Sequence, residues 1–180
     1  MRALAAAALS GLIVSTAVAP VAFAASPAEV NVTIGPALQK KTASYGAREL
    51  DHLRVELKKE VVEALARRNA PVQRVDLVIE AATPNRPTFD QLRQPGLSMQ
   101  SVGLGGAAIT GQVTGADGST RPVSYHWFET DLRNEVGAVT WSDAYRAFDR
   151  FAGRIARGDL PNQARYTPDP RAGDFGRYYR

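Results

Sequence analysis

Polar and apolar residues alternate with two different periods along this chain, and the places where the period switches divide it into elements. Asn31-Val32-Thr33-Ile34 alternates with period two and stops at Gly35-Pro36, the pattern of a short strand. Between Tyr45 and Asn69 the period changes. Leu50, Leu53, Leu57, Val61 and Leu65 recur every three or four residues and form one helical stripe, which Asn69 and Pro71 bring to an end. Val75, Leu77 and Ile79 then share one face of a second strand spanning Val72 to Ala82. Thr83-Pro84-Asn85-Arg86-Pro87-Thr88 cannot continue a sheet, because its two prolines remove ladder donors, and the loop it opens extends to Pro95-Gly96. Ser101 to Thr114 and Val123 to Leu132 are β-rich runs. Asp117-Gly118 lies between them and supplies the positive φ angle that a tight hairpin turn requires. In the second run Val123, Tyr125 and Trp127 point one way, while Ser124, His126, Phe128 and Thr130 point the other. With aromatic residues on both faces, that strand is expected to be central or covered on two sides.

The last periodic segment is a helix. Thr140 is placed to cap it, Asp143 occupies the capping-box position, and Trp141, Ala144, Tyr145, Phe148, Phe151, Ala152 and Ile155 form its apolar face. Gly158 and Pro161 end it. The order strand, helix, three strands, helix predicts an α+β fold, a mixed sheet of about four strands with two amphipathic helices on one face. Residues 25–160 form the single expected domain. Residues 161–180 hold prolines, glycines and alternating charges with no period, and are expected to be a flexible tail.

The amino-terminal end changes this picture. Met1 and Arg2 precede an alanine-rich apolar run that closes on Ala22-Phe23-Ala24, the layout of an export signal with a small-residue cleavage site. The run is also long enough to span a bilayer. Its small residues, Pro20 and the absence of a following Lys/Arg cluster favour cleavage, so residues 1–24 are expected to be a signal peptide and the mature chain a periplasmic or secreted one without stable membrane insertion. The 180 residues include no cysteine, which excludes disulfides, thiolate metal sites, a cysteine nucleophile and a lipidated amino-terminal cysteine. With 22 Lys+Arg against 18 Asp+Glu and a pI near 9.6, the chain is mildly basic. The excess is small and spread out, so it speaks first of solubility and only then of acidic partners.

Candidate chemistry is sparse. Gly103-Leu104-Gly105-Gly106-Ala107-Ala108 resembles a dinucleotide fingerprint, but β-rich sequence follows it where a phosphate-binding helix would have to begin. A glycine-rich strand that admits a close neighbour, such as the aromatic face of the last helix, or a bulge is the better reading, and no cofactor is expected. His52 has only Asp51 and Glu56 close by in sequence. Glu129 and Asp131 face away from His126 on a regular strand, so neither histidine builds a metal site or a triad. The long loop carries Asn85, Arg86, Gln91 and Arg93, with Arg133 and Asn134 after the fourth strand. Brought together, these could grip a carboxylate or phosphate through guanidinium forks, which makes them the candidate binding loop. The tail's Arg165-Tyr166 and Arg177-Tyr178-Tyr179-Arg180 are too scattered for a nucleic-acid surface.

On this order of elements, Asn31 to Ile34, Tyr45 to Asn69, Arg74 to Ala82, Val102 to Val113, Val123 to Leu132 and Trp141 to Arg157, with a glycine-rich third strand before a D-G hairpin, the chain resembles small exported envelope domains of Gram-negative bacteria. Examples are the amino-terminal domain of the Tol-system propeller protein and the core of the curli-secretion lipoprotein. The resemblance implies an exported domain of unknown function, and the lack of any catalytic constellation points to a non-catalytic envelope protein that binds another protein or an anionic envelope component. It transfers no functional residue, and without a cysteine no lipid tether. The alternative is a small periplasmic hydrolase or transferase using His126 or an Asp/Glu pair. Glu129, Asp131 and another acid converging in one cleft would favour the enzyme, and an exposed groove or a flat polar sheet face would favour binding.

Overall fold

In the computed structural model, residues 28–135, 138–168 and Phe175 are described, and the expected signal peptide lies outside them. Four strands, β1 (Glu29–Ile34), β2 (Val72–Thr83), β3 (Gly106–Gly115) and β4 (Thr120–Phe128), form one sheet in the order β1-β2-β3-β4. β1 runs parallel to β2, and the other two pairs are antiparallel. The parallel pair requires a crossover, which α3 (Ala47–Arg68) supplies after two short turns of helix, α1 (Pro36–Gln39) and α2 (Thr42–Tyr45). α4 (Ser142–Ala156) returns beside α3, and both helices cover the same face of the sheet. The α+β architecture read from the sequence is therefore the one observed. None of the helices among the described residues is long and apolar enough to cross a membrane.

The core follows from the two periods. Leu50, Leu53, Leu57, Val61 and Leu65 of α3 are buried against Val30 and Val32 of β1 and Val75, Leu77 and Ile79 of β2. Trp141, Phe148, Phe151 and Ile155 of α4 fill the space over β3 and β4, where Tyr125 and Phe151 lie 5.9 Å apart. The Asp117-Gly118 turn forms as expected, with Gly118 at φ +79° and Asp117 Oδ1 accepting from the Ser119 amide and hydroxyl.

Several boundaries differ from the sequence expectation, three of them with consequences for the site. Residues 101–105 stay out of β3, because their backbone engages Asn85 and the segment after β4 instead of a neighbouring strand. β4 ends at Phe128, four residues before Leu132, where Glu129 turns its carboxylate back onto the amides of Thr130 and Asp131. α4 begins without a side-chain cap: Trp141 stands at the N-cap position, and Asp143 points into the protein.

β4 is the last strand of the sheet, yet part of its outer edge and part of its face away from the helices are covered. The Ser124 amide donates to the Pro161 carbonyl (2.8 Å) and the Gln163 amide to the Ser124 carbonyl (2.9 Å), so residues 161–163 lie along its edge. Tyr166 stacks on Phe128, with centroids 4.6 Å apart, on the face away from the helices. This accounts for aromatic residues on both faces of a terminal strand.

Candidate functional site

The residues singled out in the long loop do not form one surface. Asn85 is fully buried and Gln91 nearly so. Gln91 Oε1 accepts from the Thr88 amide, while the Gln91 amide donates to Thr88 Oγ1, so the pair closes a local turn. Arg86 spends its guanidinium on the backbone carbonyls of Ala138, Met99 and Gln100, which ties the loop after β2 to the segment before α4. Arg93 is exposed and pairs with Asp90 (3.6 Å), and Arg133 is held by its neighbour Asp131 (2.6 Å).

Asn85 is the centre of a buried polar knot. Its Nδ2 donates to Glu135 Oε2 (2.5 Å) and Asp143 Oδ2 (2.6 Å), and its Oδ1 accepts from the Asp143 amide (2.9 Å). The Gly105 amide adds a bond to Asp143 Oδ2 (3.1 Å), and Arg146 pairs with the other oxygen of Asp143 at 2.8 Å. A Cβ at Gly105 would stand 2.5 Å from the Asn85 side chain, so glycine is required there for the amide to fit. The close neighbours of the glycine-rich stretch are thus the Asn85 amide at Gly105 and β4 at Gly106, where a Cβ would meet Trp127 and Phe128, and not the aromatic face of the last helix. Sequence spacing could not reveal the knot, because its members come from both ends of the β2–β3 connection, from the β4–α4 connection and from α4.

Glu129, Glu135 and Asp143 each bring a carboxylate oxygen within 4.8 Å of the others, an arrangement wide enough for a hard divalent cation. Asn85 Nδ2 already bridges Glu135 and Asp143, however, and Arg146 supplies positive charge at the other oxygen of Asp143. Burial, followed by the nearby Asp143 carboxylate, pushes Glu135 up to about 7. Glu135 Oε1 is buried with no hydrogen-bond partner among the described residues. Glu135 is 2% exposed and Asp143 0%, so a substrate does not reach the pair without local opening.

The opposite face of the sheet is open. The strand register aligns Asn31, Asp76, Gln112 and Pro122 in one row across all four strands, and Thr33, Val78, Thr110 and Ser124 in the next. With residues 162–165 as a wall, these rows bound a groove of about 660 Å³. Glu80 closes one end, where its Oε1 accepts from Thr110 Oγ1 (2.8 Å) and pairs with Arg165 (3.2 Å). At the other end Asp76 is held by Arg74 and Asn31, whose hydrogen bonds keep its carboxyl below the ordinary aspartate value. His126 lies on this same face beside Tyr166, with ring centroids 5.7 Å apart.

Fold and groove define a class, an α+β two-layer domain with helices on one face of its sheet and an open groove on the other. No protein-family model matches the chain, and no curated protein matches it.

Proposed function

We propose that this chain is an exported, non-catalytic binding protein of the cell envelope, and that its groove on the open sheet face receives a segment of another envelope protein. The groove carries this reading. It is accessible, it crosses all four strands, and it offers side-chain hydroxyl and amide groups from Gln112, Ser124 and Asn162, beside Thr33 and Thr110, whose hydroxyls already donate to Leu77 and Glu80. Such groups suit the backbone and polar side chains of an extended polypeptide. Export rests on the Ala22-Phe23-Ala24 cleavage pattern. The alternative of a small hydrolase using an Asp/Glu pair draws on the raised carboxyl of Glu135 beside Asp143, but both carboxylates are enclosed and engaged by Asn85.

A quantitative pull-down from envelope extract tests the proposal, using the exported form, whose intact mass should lack residues 1–24. Gln112→Trp fills the groove from an exposed position and should leave the melting temperature unchanged while abolishing capture of the partner that the wild type retains. Equal capture by both proteins would remove the groove from the argument.

A further inference from the structure

A second surface, on the helix-bearing side of the sheet, has different chemistry. Arg150, Arg154 and Arg157 fall at i, i+4 and i+7 of α4 and its carboxy-terminal cap, and together with Tyr125, Asp149 and Gly153 they line a cleft of about 430 Å³. Like charges at this spacing weaken a helix by a few tenths of a kcal/mol per pair. Solvated helix faces usually relieve that repulsion with interleaved acids. Here Asp159 engages Nε and Nη2 of Arg154 and leaves its Nη1 uncommitted, while Arg150 and Arg157 form no ion pair among the described residues.

Two observations indicate that the cleft is a built feature. The guanidinium of Arg150 lies 4.1 Å from the centre of the Trp127 ring and that of Arg154 lies 5.9 Å from the Tyr125 ring, so aromatic faces orient both groups. Gly153 sits in the interior of a helix, where glycine costs about 1 kcal/mol relative to alanine. Packing does not demand it, because a Cβ there would meet only Arg157 Nη1, at 3.4 Å. What the missing side chain does is keep the floor of the cleft clear between Arg150 and Arg157.

We propose that this cleft binds a phosphate monoester, with Arg150, Arg154 and Arg157 surrounding its oxygens and the Tyr125 hydroxyl at the base. Three guanidiniums around one small cleft match an anion with three terminal oxygens better than a two-oxygen carboxylate. The phosphate can come from a soluble organophosphate or from a lipid headgroup. This site is independent of the groove, which lies on the other face of the sheet.

Titration calorimetry of the full mature chain with phenyl phosphate is the first arm of the test. Saturable binding is expected, weakened about tenfold or more in Arg157→Ala and partly restored in Arg157→Lys. Gly153→Leu should block the cleft while keeping or raising the melting temperature, which separates loss of the site from loss of the fold. The second arm is co-sedimentation with phosphatidylcholine vesicles, with and without phosphatidic acid. Sedimentation that requires phosphatidic acid and is lost in Gly153→Leu identifies a lipid headgroup. Phenyl phosphate binding without sedimentation identifies a soluble ligand. The proposal is overturned if the wild type shows no saturable binding in either arm, or if Gly153→Leu and Arg157→Ala behave like the wild type.

Discussion

Asn85 shows how one side chain decides the use of several others. Its amide joins Glu135, Asp143 and the glycine stretch, so residues from two loops and α4 share a single set of hydrogen bonds. The knot also makes the protein pH-sensitive in a defined direction. Glu135 has a folded pKa of about 7 against 4.5 for the free side chain, so the folded state binds its proton more tightly than the unfolded state does. The resulting stabilisation is complete below about pH 4.5 and is lost as pH rises through about 7. Asp143 and Glu129 repel the second charge, and Arg146 only partly offsets it. The melting temperature should accordingly fall between about pH 5 and pH 8 by an amount equivalent to a few kcal/mol at most. Glu135→Gln keeps the shape and removes the titration, so its melting profile over the same range should be nearly flat. A wild-type profile that is flat or rising would show that Glu135 is ionised throughout.

Among the elements, α4 carries the largest share of aromatic burial. Phe148 and Phe151 are fully buried, and Trp141 donates its indole N–H to Glu49 Oε2 (2.6 Å) while the edge of its ring meets Tyr45 at 5.6 Å. These contacts join α4 both to the sheet and to α3. Phe148→Ala should cost about 3–5 kcal/mol, a large part of the roughly 5–15 kcal/mol available to a domain of this kind. Urea melts measure that loss, and a change below about 1 kcal/mol would mean that the cavity collapses or that the ring contributes little.

At the scale of the whole molecule, the segment after α4 completes the sheet. It satisfies Ser124 on the outer edge of β4, supplies the Gln163 side chain to the His126 amide, and stacks Tyr166 on Phe128. It also builds one wall of the groove. Ending the chain at Leu160 should therefore lower the melting temperature and expose an unpaired strand edge, a template for pairing with other chains. Analytical ultracentrifugation is expected to show self-association of the truncated protein at concentrations where the full chain stays at its native size. An unchanged sedimentation profile and melting curve would reduce this segment to an accessory.

The periodicity of Leu50 to Leu65, the alternation of Val75 to Ile79 and the Asp117-Gly118 turn were sufficient to determine the helices, the strands and the hairpin, because each depends on residues a few positions apart. Even the arginine spacing on α4 was present in the primary structure, though only the Trp127 and Tyr125 rings, brought over from β4, turn that spacing into a cleft. The fate of the long loop was different. Asn85, Arg86 and Arg93 are equally polar in sequence, and whether each is buried, tied to backbone or exposed depended on partners 50 or more residues away for the first two and on a local ion pair for the third. Side-chain type and local period determine which elements form. Which polar groups lose water, share a proton or remain open to a ligand is decided by burial and by distant hydrogen-bond partners, and those exist only once the sheet and helices have packed.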